Sequence, residues 1–226
     1  MGTHRVISTS DEPFRDRTEA GHLLARELES YRGPGTTVLG IPRGGVVVAA
    51  EVARALDADL DIVLARKIGA PGNPEAAIGA ISEDGRLFID KSLASYVRAD
   101  SPYIESEKRR QMARIKELAG EFRAIRPKVP LAGRTVIVTD DGVATGATMR
   151  AAAWAARHEN PHKVILAIPV APAEAIESLA EDADEVVCLR VPPYFAAVGQ
   201  FYMEFGQTSN EEVKAILEEA SRKQRA

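Results

Sequence analysis

Cysteine is almost missing: Cys188 stands alone in 226 residues. No disulfide can form within the chain, and no cysteine cluster can hold zinc. So little sulfur suits a reducing compartment, and a cytoplasmic setting is the expectation. Histidine is scarce as well. His158 and His162 lie close in sequence, but Pro161 breaks any helix that would put them on one metal-binding face. No Ser-His-Asp arrangement is indicated. No apolar run reaches the ~18 residues of a membrane span. Met1-Gly2-Thr3-His4-Arg5-Val6 has no apolar signal region, and Val6 stands where a myristoylation pattern needs Ser or Thr. A basic surplus is absent too. The net charge is −4, whereas affinity for nucleic acid comes mainly from neutralising phosphates. Arg222, Lys223 and Arg225 form a short basic run that reads as a solvated tail. Neither nucleic acid nor membrane is an expected partner.

Hydrophobic residues make up 45% and charged residues 27%, which is ordinary for a globular chain large enough to need no staples. A single domain over 1–226 is expected, with a core at about 15–190 and a variable hood or tail at about 191–226. Residues 1–15 read as an irregular lead-in. Asp16-Arg17-Thr18-Glu19 reads as a capping box before an amphipathic helix to about Tyr31. Thr37–Ile41 is a strand, Val46–Leu56 a helix and Leu60–Ala65 a strand. Gly69–Pro74 reads as a loop. Ala77–Ile81 and Arg86–Ile89 form a hairpin across Ser82-Glu83-Asp84-Gly85. Ser101-Pro102 opens a charged helix to about Phe122. Strand Thr135–Thr139, helix Thr148–His158, strand Val164–Ile168, helix Ala173–Leu179 and strand Glu185–Arg190 follow. Ser209 and Glu212 form a second capping box. Strands alternating with helices imply an α/β fold with a mostly parallel central sheet. Ligands in such sheets bind beyond the carboxyl ends of the strands.

The run Val136-Ile137-Val138-Thr139-Asp140-Asp141-Gly142-Val143-Ala144-Thr145-Gly146-Ala147-Thr148 carries the chemistry. Two carboxylates end a buried strand, and small residues then lead into a helix whose N-terminal N–H groups suit a phosphate. Gly142 and Gly146 allow close backbone approach, Thr145 and Thr148 add hydroxyls, and Asp140 and Asp141 suit two adjacent ribose hydroxyls. No Lys follows Gly146, which excludes a Walker A loop, and the G-x-G-x-x-G spacing of a dinucleotide fingerprint is absent. The plain alternative is a strand-turn-helix with two capping aspartates.

This run resembles the phosphoribosyl-pyrophosphate (PRPP) signature of type I phosphoribosyltransferases. The resemblance extends loosely over about residues 15–190, and the Phe14–Gly21 segment matches a Phe-x-Asp-Arg-x-x-Ala-Gly opening of stand-alone bacterial members. It implies the type I fold with a small hood, ribose contacts from Asp140 and Asp141, and a 5-phosphate cradle of Gly142, Val143, Ala144, Thr145, Gly146 and Thr148. Arg43, Gly44 and Gly45, after the first strand, then correspond to the pyrophosphate loop, though an ordinary Pro-Gly turn with a surface Arg would read alike. Arg66 and Lys67 correspond to the cationic pair ahead of a mobile loop, or else are solvated charges. Asp140, Asp141 and Lys67 are the expected catalytic residues.

Tyr194, Phe201 and Tyr202 are candidates to stack on the base, the alternative being core packing. Cys188 and Trp154 read as packing. The expected reaction is phosphoribosyl transfer from PRPP to a nitrogenous base. Magnesium is carried by PRPP rather than by protein ligands, and a homodimer is the common expectation for the fold. A PRPP-binding regulator without catalysis is the alternative, although such proteins usually add a nucleic-acid module or a basic surface.

Overall fold

The computed structural model describes residues 2–223, apart from the side chains of residues 75 and 223. Arg225 of the basic run therefore lies outside the described residues. The chain begins with β1 (Thr3–Ser8), α1 (Arg17–Glu27), β2 (Thr36–Gly40), α2 (Gly44–Leu56) and β3 (Asp59–Ile62). It continues through β4 (Ala65–Ala70), β5 (Asn73–Ser82), β6 (Leu87–Ile89), α3 (Lys91–Tyr96) and α4 (Ser101–Phe122). Then come β7 (Thr135–Thr139), α5 (Ala147–Arg157), β8 (Lys163–Val170), α6 (Ala173–Leu179), β9 (Glu185–Arg190) and α7 (Asn210–Lys223).

A six-stranded sheet runs in the order β1-β9-β8-β7-β2-β3, with every pair parallel. Its inner strands are apolar runs because helices cover both faces. Val136 and Val138 of β7 join a cluster with Met149 of α5, while Ile137 points the other way into a cluster with Leu24 of α1 and Val48 of α2. That alternation is the two-residue period of a strand. From β2 the chain goes outward to β3, and from β7 it goes outward through β8 to β9. Loops leaving β2 and β7 therefore diverge, and the crevice between them is the expected ligand position. A second, three-stranded antiparallel sheet, β4-β5-β6, packs with α3 and α4 around Ile68, Ile78, Ile81, Ile115 and Phe122.

Several local expectations change. The lead-in contains β1, which pairs with β9 from Thr3↔Glu185 to Ser8↔Arg190. An exposed edge strand alternates too weakly to be read from sequence. The strand expected at Leu60–Ala65 is two strands, and its chain leaves the main sheet after Ile62 to start β4. The Gly/Pro loop at 69–74 is the tip of a β4–β5 hairpin, paired from Ala65↔Ser82 to Ala70↔Asn73 with register shifts on both sides of Gly69. Asp100, not Ser101, caps α4, accepting from the Tyr103 N–H at 2.9 Å. At α1, Asp16 caps Glu19 N at 2.8 Å, but Glu19 reaches back to the Arg15 amide rather than to Asp16. The second capping box forms reciprocally: Ser209 N donates to Glu212 and Glu212 N to the Ser209 hydroxyl. Beyond it α7 buries Val213 and Leu217 beside Ile62 and Ile115.

Residues 191–209 are irregular except for a short 3-10 turn, Val198–Phe201. The N-terminal segment holds them in place. Phe14 N donates to Phe201 O, Met203 N to Phe14 O and Glu204 N to Arg15 O, each at 2.8 Å. The turn lies directly on the loop after β7, since a Cβ on Gly142 would come within 2.5 Å of Val198. Cys188 is buried in β9, where burial pushes its thiol up to about 12. Trp154 packs on Phe88 with ring centroids 4.3 Å apart and donates to Asp182 at 2.8 Å. Among the described residues no helix is long and apolar enough to cross a membrane.

Candidate active site

The loop after β7 presents free donors. Gly146, at φ 80°, turns the chain into α5 without a side-chain cap. The Ala147 N–H reaches only the Thr145 hydroxyl, at 3.5 Å. Among the described residues the N–H groups of Ala144, Thr145, Gly146, Thr148 and Met149 have no protein acceptor. Helix N-terminal amides left open in this way, at the positive end of the helix dipole, attract an anion. Val143 anchors the loop by donating to Val170 O at 2.9 Å.

Asp140 and Asp141 sit where β7 ends, pressed against the turn that follows β2. A Cβ on Gly45 would lie 2.7 Å from the Asp140 Cα, and one on Gly44 would lie 2.0 Å from an Asp141 carboxylate oxygen. At Gly45 the obstacle is backbone, so only glycine fits, whereas a side chain at Gly44 would displace the Asp141 carboxylate and Arg17. The Pro42–Arg43 peptide in this turn is cis, and Arg43 is exposed at the start of α2. Burial and the neighbouring Asp141 charge together hold Asp140 well above the usual carboxylate range. The Asp141 and Gly45 amides and the Arg17 cation oppose that shift only in part.

Asp141 is engaged differently. Arg17 Nε donates to its carboxylate at 2.8 Å, with side-chain exposures of only 11% and 16%. The same guanidinium donates to Gly206 O at 2.8 Å and lies 4.1 Å over the Phe205 ring. Tyr202 donates its hydroxyl to the Asp141 carbonyl at 2.6 Å. Arg17, Tyr202 and Phe205 thus tie the carboxyl end of β7 to the segment above it. Arg17 was not singled out from sequence. Its signals are its place in the Phe-x-Asp-Arg-x-x-Ala-Gly opening and a cation in the first turn of a helix, against the dipole.

The expected aromatic platform is corrected. Phe201 is 1% exposed and packs on Phe195 at 5.2 Å, so its face belongs to the core. Tyr202 is buried between Phe14 and Phe205, and burial with the Asp141 charge pushes its hydroxyl pKa up. Neither ring offers a free face to a base. Tyr194, at 84% exposed, does.

Arg66 and Lys67, early in β4, line a cavity of about 270 Å³ together with Ile41, Pro42 and Thr148. The turn after β2, the start of β4 and the first turn of α5 therefore open onto one space. Another cavity of similar size lies away from these loops, between α2 and α7, and holds none of the candidate residues. Among the described residues no group of three or more His, Cys, Asp or Glu could hold a metal ion. Asp140 and Asp141 alone suit a hard cation that keeps most of its ligands from phosphate oxygens and water.

Known proteins resemble this chain over most of its length. The family model described as the phosphoribosyl transferase domain matches residues 17–205. Proteins of Mycobacterium tuberculosis strains H37Rv and CDC 1551, which carry phosphoribosyl transferase as a provisional name, are 44% identical over 209 residues, or 92% of this chain. The match covers 47% of those relatives, so the chain spans about half their length. The crystal structure of TT1426 from Thermus thermophilus is 50% identical and superimposes with a TM-score of 0.87, covering 92% of this chain and 98% of that one. With a signature loop, a sheet order and a family match that agree, the chain belongs to the phosphoribosyl transferase domain family.

Proposed function

We propose that the protein transfers phosphoribose from PRPP to a nitrogenous base, releasing pyrophosphate in a magnesium-dependent, cytoplasmic reaction. One observation carries this reading: the open amides of the 142–148 loop, the Asp140–Asp141 pair and the Arg43–Gly45 turn meet at the carboxyl ends of β2 and β7. A 5-phosphate on Gly142–Thr148, a ribose diol on Asp140 and Asp141, and a pyrophosphate toward Arg43, Arg66 and Lys67 would span that crevice.

In the reaction the bond from C1 to the pyrophosphate oxygen breaks. A C1–N bond to the base forms, and the base nitrogen gives up its proton. Positive charge grows on the sugar and negative charge on the leaving group. In this reading the Asp140 and Asp141 carboxylates would stabilise the cationic ring, while Arg43, Gly44, Gly45, Arg66 and Lys67 would stabilise the departing anion. Arg17 holds the Asp141 carboxylate in place through its 2.8 Å contact. Magnesium bound with PRPP would supply further neutralisation of the pyrophosphate oxygens. Tyr194 is the exposed ring available to a flat base.

The direct test mixes protein, magnesium and PRPP with adenine, guanine, hypoxanthine, xanthine, uracil or orotate in turn and follows pyrophosphate release. Base-dependent release is expected with at least one of them. Binding of PRPP without release would make the chain a PRPP sensor, and absence of binding would remove the reading altogether.

A further inference from the structure

Segments from the two ends of the chain meet over the carboxyl end of β7, and Tyr202 is locked between them. Phe14 and Tyr202 form an isolated parallel bridge with ring centroids 5.4 Å apart. Tyr202 also stacks on Phe205 at 5.0 Å, and the Arg17 guanidinium covers the Phe205 ring. The phenol is therefore buried in a fixed stack, and its hydroxyl donates to the Asp141 carbonyl at 2.6 Å. Burial and the Asp141 charge push the Tyr202 pKa up, which keeps the proton on the oxygen that donates it.

That bond acts on a rigid unit. A trans peptide is planar, so its C=O and N–H point in opposite directions. The 141–142 peptide is trans. Pinning the Asp141 carbonyl to Tyr202 thus also fixes the direction of the Gly142 N–H, turned away from the hydroxyl. Among the described residues this N–H has no protein acceptor, and it is the first of the open amides in the loop, ahead of Ala144, Thr145 and Gly146. Glycine by itself tolerates either orientation of the peptide before it. A larger residue at 142 could not supply the restraint, because its Cβ would come within 2.5 Å of Val198. The restraint has to come from outside the loop, and Tyr202 provides it. We propose that Tyr202 is a positioning residue for the anion loop, which holds the 141–142 peptide so that the Gly142 N–H is aimed at the phosphate of the ligand. This rests on the phosphoribosyl reading only for the identity of that ligand, a 5-phosphate.

Tyr202→Phe keeps the ring in its stack and removes the donor. Val213→Ala is the control, since it takes methyl groups from the core beside α7 and touches nothing in the loop. Melting curves rank the stability lost in each. Calorimetry with ribose 5-phosphate reads the phosphate site, and amide NMR reads Gly142. In Tyr202→Phe, ribose 5-phosphate affinity should fall about 5- to 10-fold and the KM for PRPP should rise about as much, with kcat within about 2-fold, because a bond made equally in the ground and transition states moves KM alone. The Gly142 resonance should shift or broaden in the same variant. Val213→Ala should leave affinity and resonance as they are, whatever it costs in melting temperature. Unchanged ribose 5-phosphate affinity in Tyr202→Phe, or an equal loss in Val213→Ala, would overturn the role. If the wild type binds neither ribose 5-phosphate nor PRPP, the transferase reading falls and the Gly142 resonance decides alone: displaced in Tyr202→Phe only, it supports the positioning role, and unmoved, it removes it.

Discussion

At Asp140 a partly buried carboxylate sits next to a neighbour of the same sign, and burial with the Asp141 charge raises its pKa. A carboxyl whose pKa is higher folded than unfolded binds its proton more tightly in the native state. It therefore favours folding at low pH, and that contribution is lost as pH rises from the ordinary value of about 3.9 through the raised one. Asp140→Asn removes the charge but keeps an oxygen for the Asp141 amide. The substitution should raise the unfolding midpoint at pH 7 to 8, with the gain vanishing toward pH 4, while turnover falls about 100-fold. Equal midpoints for the two proteins at pH 8 would contradict this account. Asp140 and the glycines beside it were legible in the sequence because their roles are local: an acid at a strand end, and a turn before a helix. Arg17 was not, because its partner Asp141 is 124 positions away. Phe201 was misjudged for a related reason: a run of aromatics does not reveal which ring faces the core covers.

Between residues and the whole lies the β4–β5 hairpin, whose glycines and prolines read as a mobile loop. Gly72, at φ 75°, does turn the tip. Gly69 has another cause: a Cβ there would come 2.8 Å from the Pro74 Cα, so it is small to let two strands approach. Composition cannot distinguish a glycine that bends a chain from one that admits a neighbour. With Ile68, Ala70, Ile78 and Ile81 buried, the hairpin should behave as part of the scaffold. In native-state hydrogen exchange, the amides of Ile68 and of Ala80–Ile81 are expected to exchange as slowly as those in α5. PRPP should add protection mainly at 142–149. Fast exchange across 68–81 that slows with PRPP would instead make the hairpin a closing lid. The βαβ alternation behind the main sheet was legible because β2, β7 and β8 are apolar on both faces, whereas the exposed edge strand β1 left no such run.

For the molecule as a whole, the −4 net charge excluded nucleic acid as an expected partner but says nothing about the field at one end of the sheet. There Arg66, Lys67, Arg110 and Arg114 line one cavity, with Arg43 next in the chain to its Pro42 wall, while many acidic side chains are paired elsewhere, as in the Arg123 ion pairs with Asp61 and Glu83. An acidic protein with a cationic mouth attracts a polyanion only over distances that salt leaves unscreened. Between about 0.01 M and 0.15 M salt the screening length falls from roughly 30 Å to roughly 8 Å. Pyrophosphate and PRPP association rates, followed by stopped-flow, should fall several-fold over that range. Dissociation rates should change less, because contacts inside the crevice are screened little. Arg114→Ala should flatten the salt dependence for both ligands. An association rate indifferent to salt, or one that rises with it, would mean that the net charge rather than the local cluster governs approach, and that these cations act only after contact.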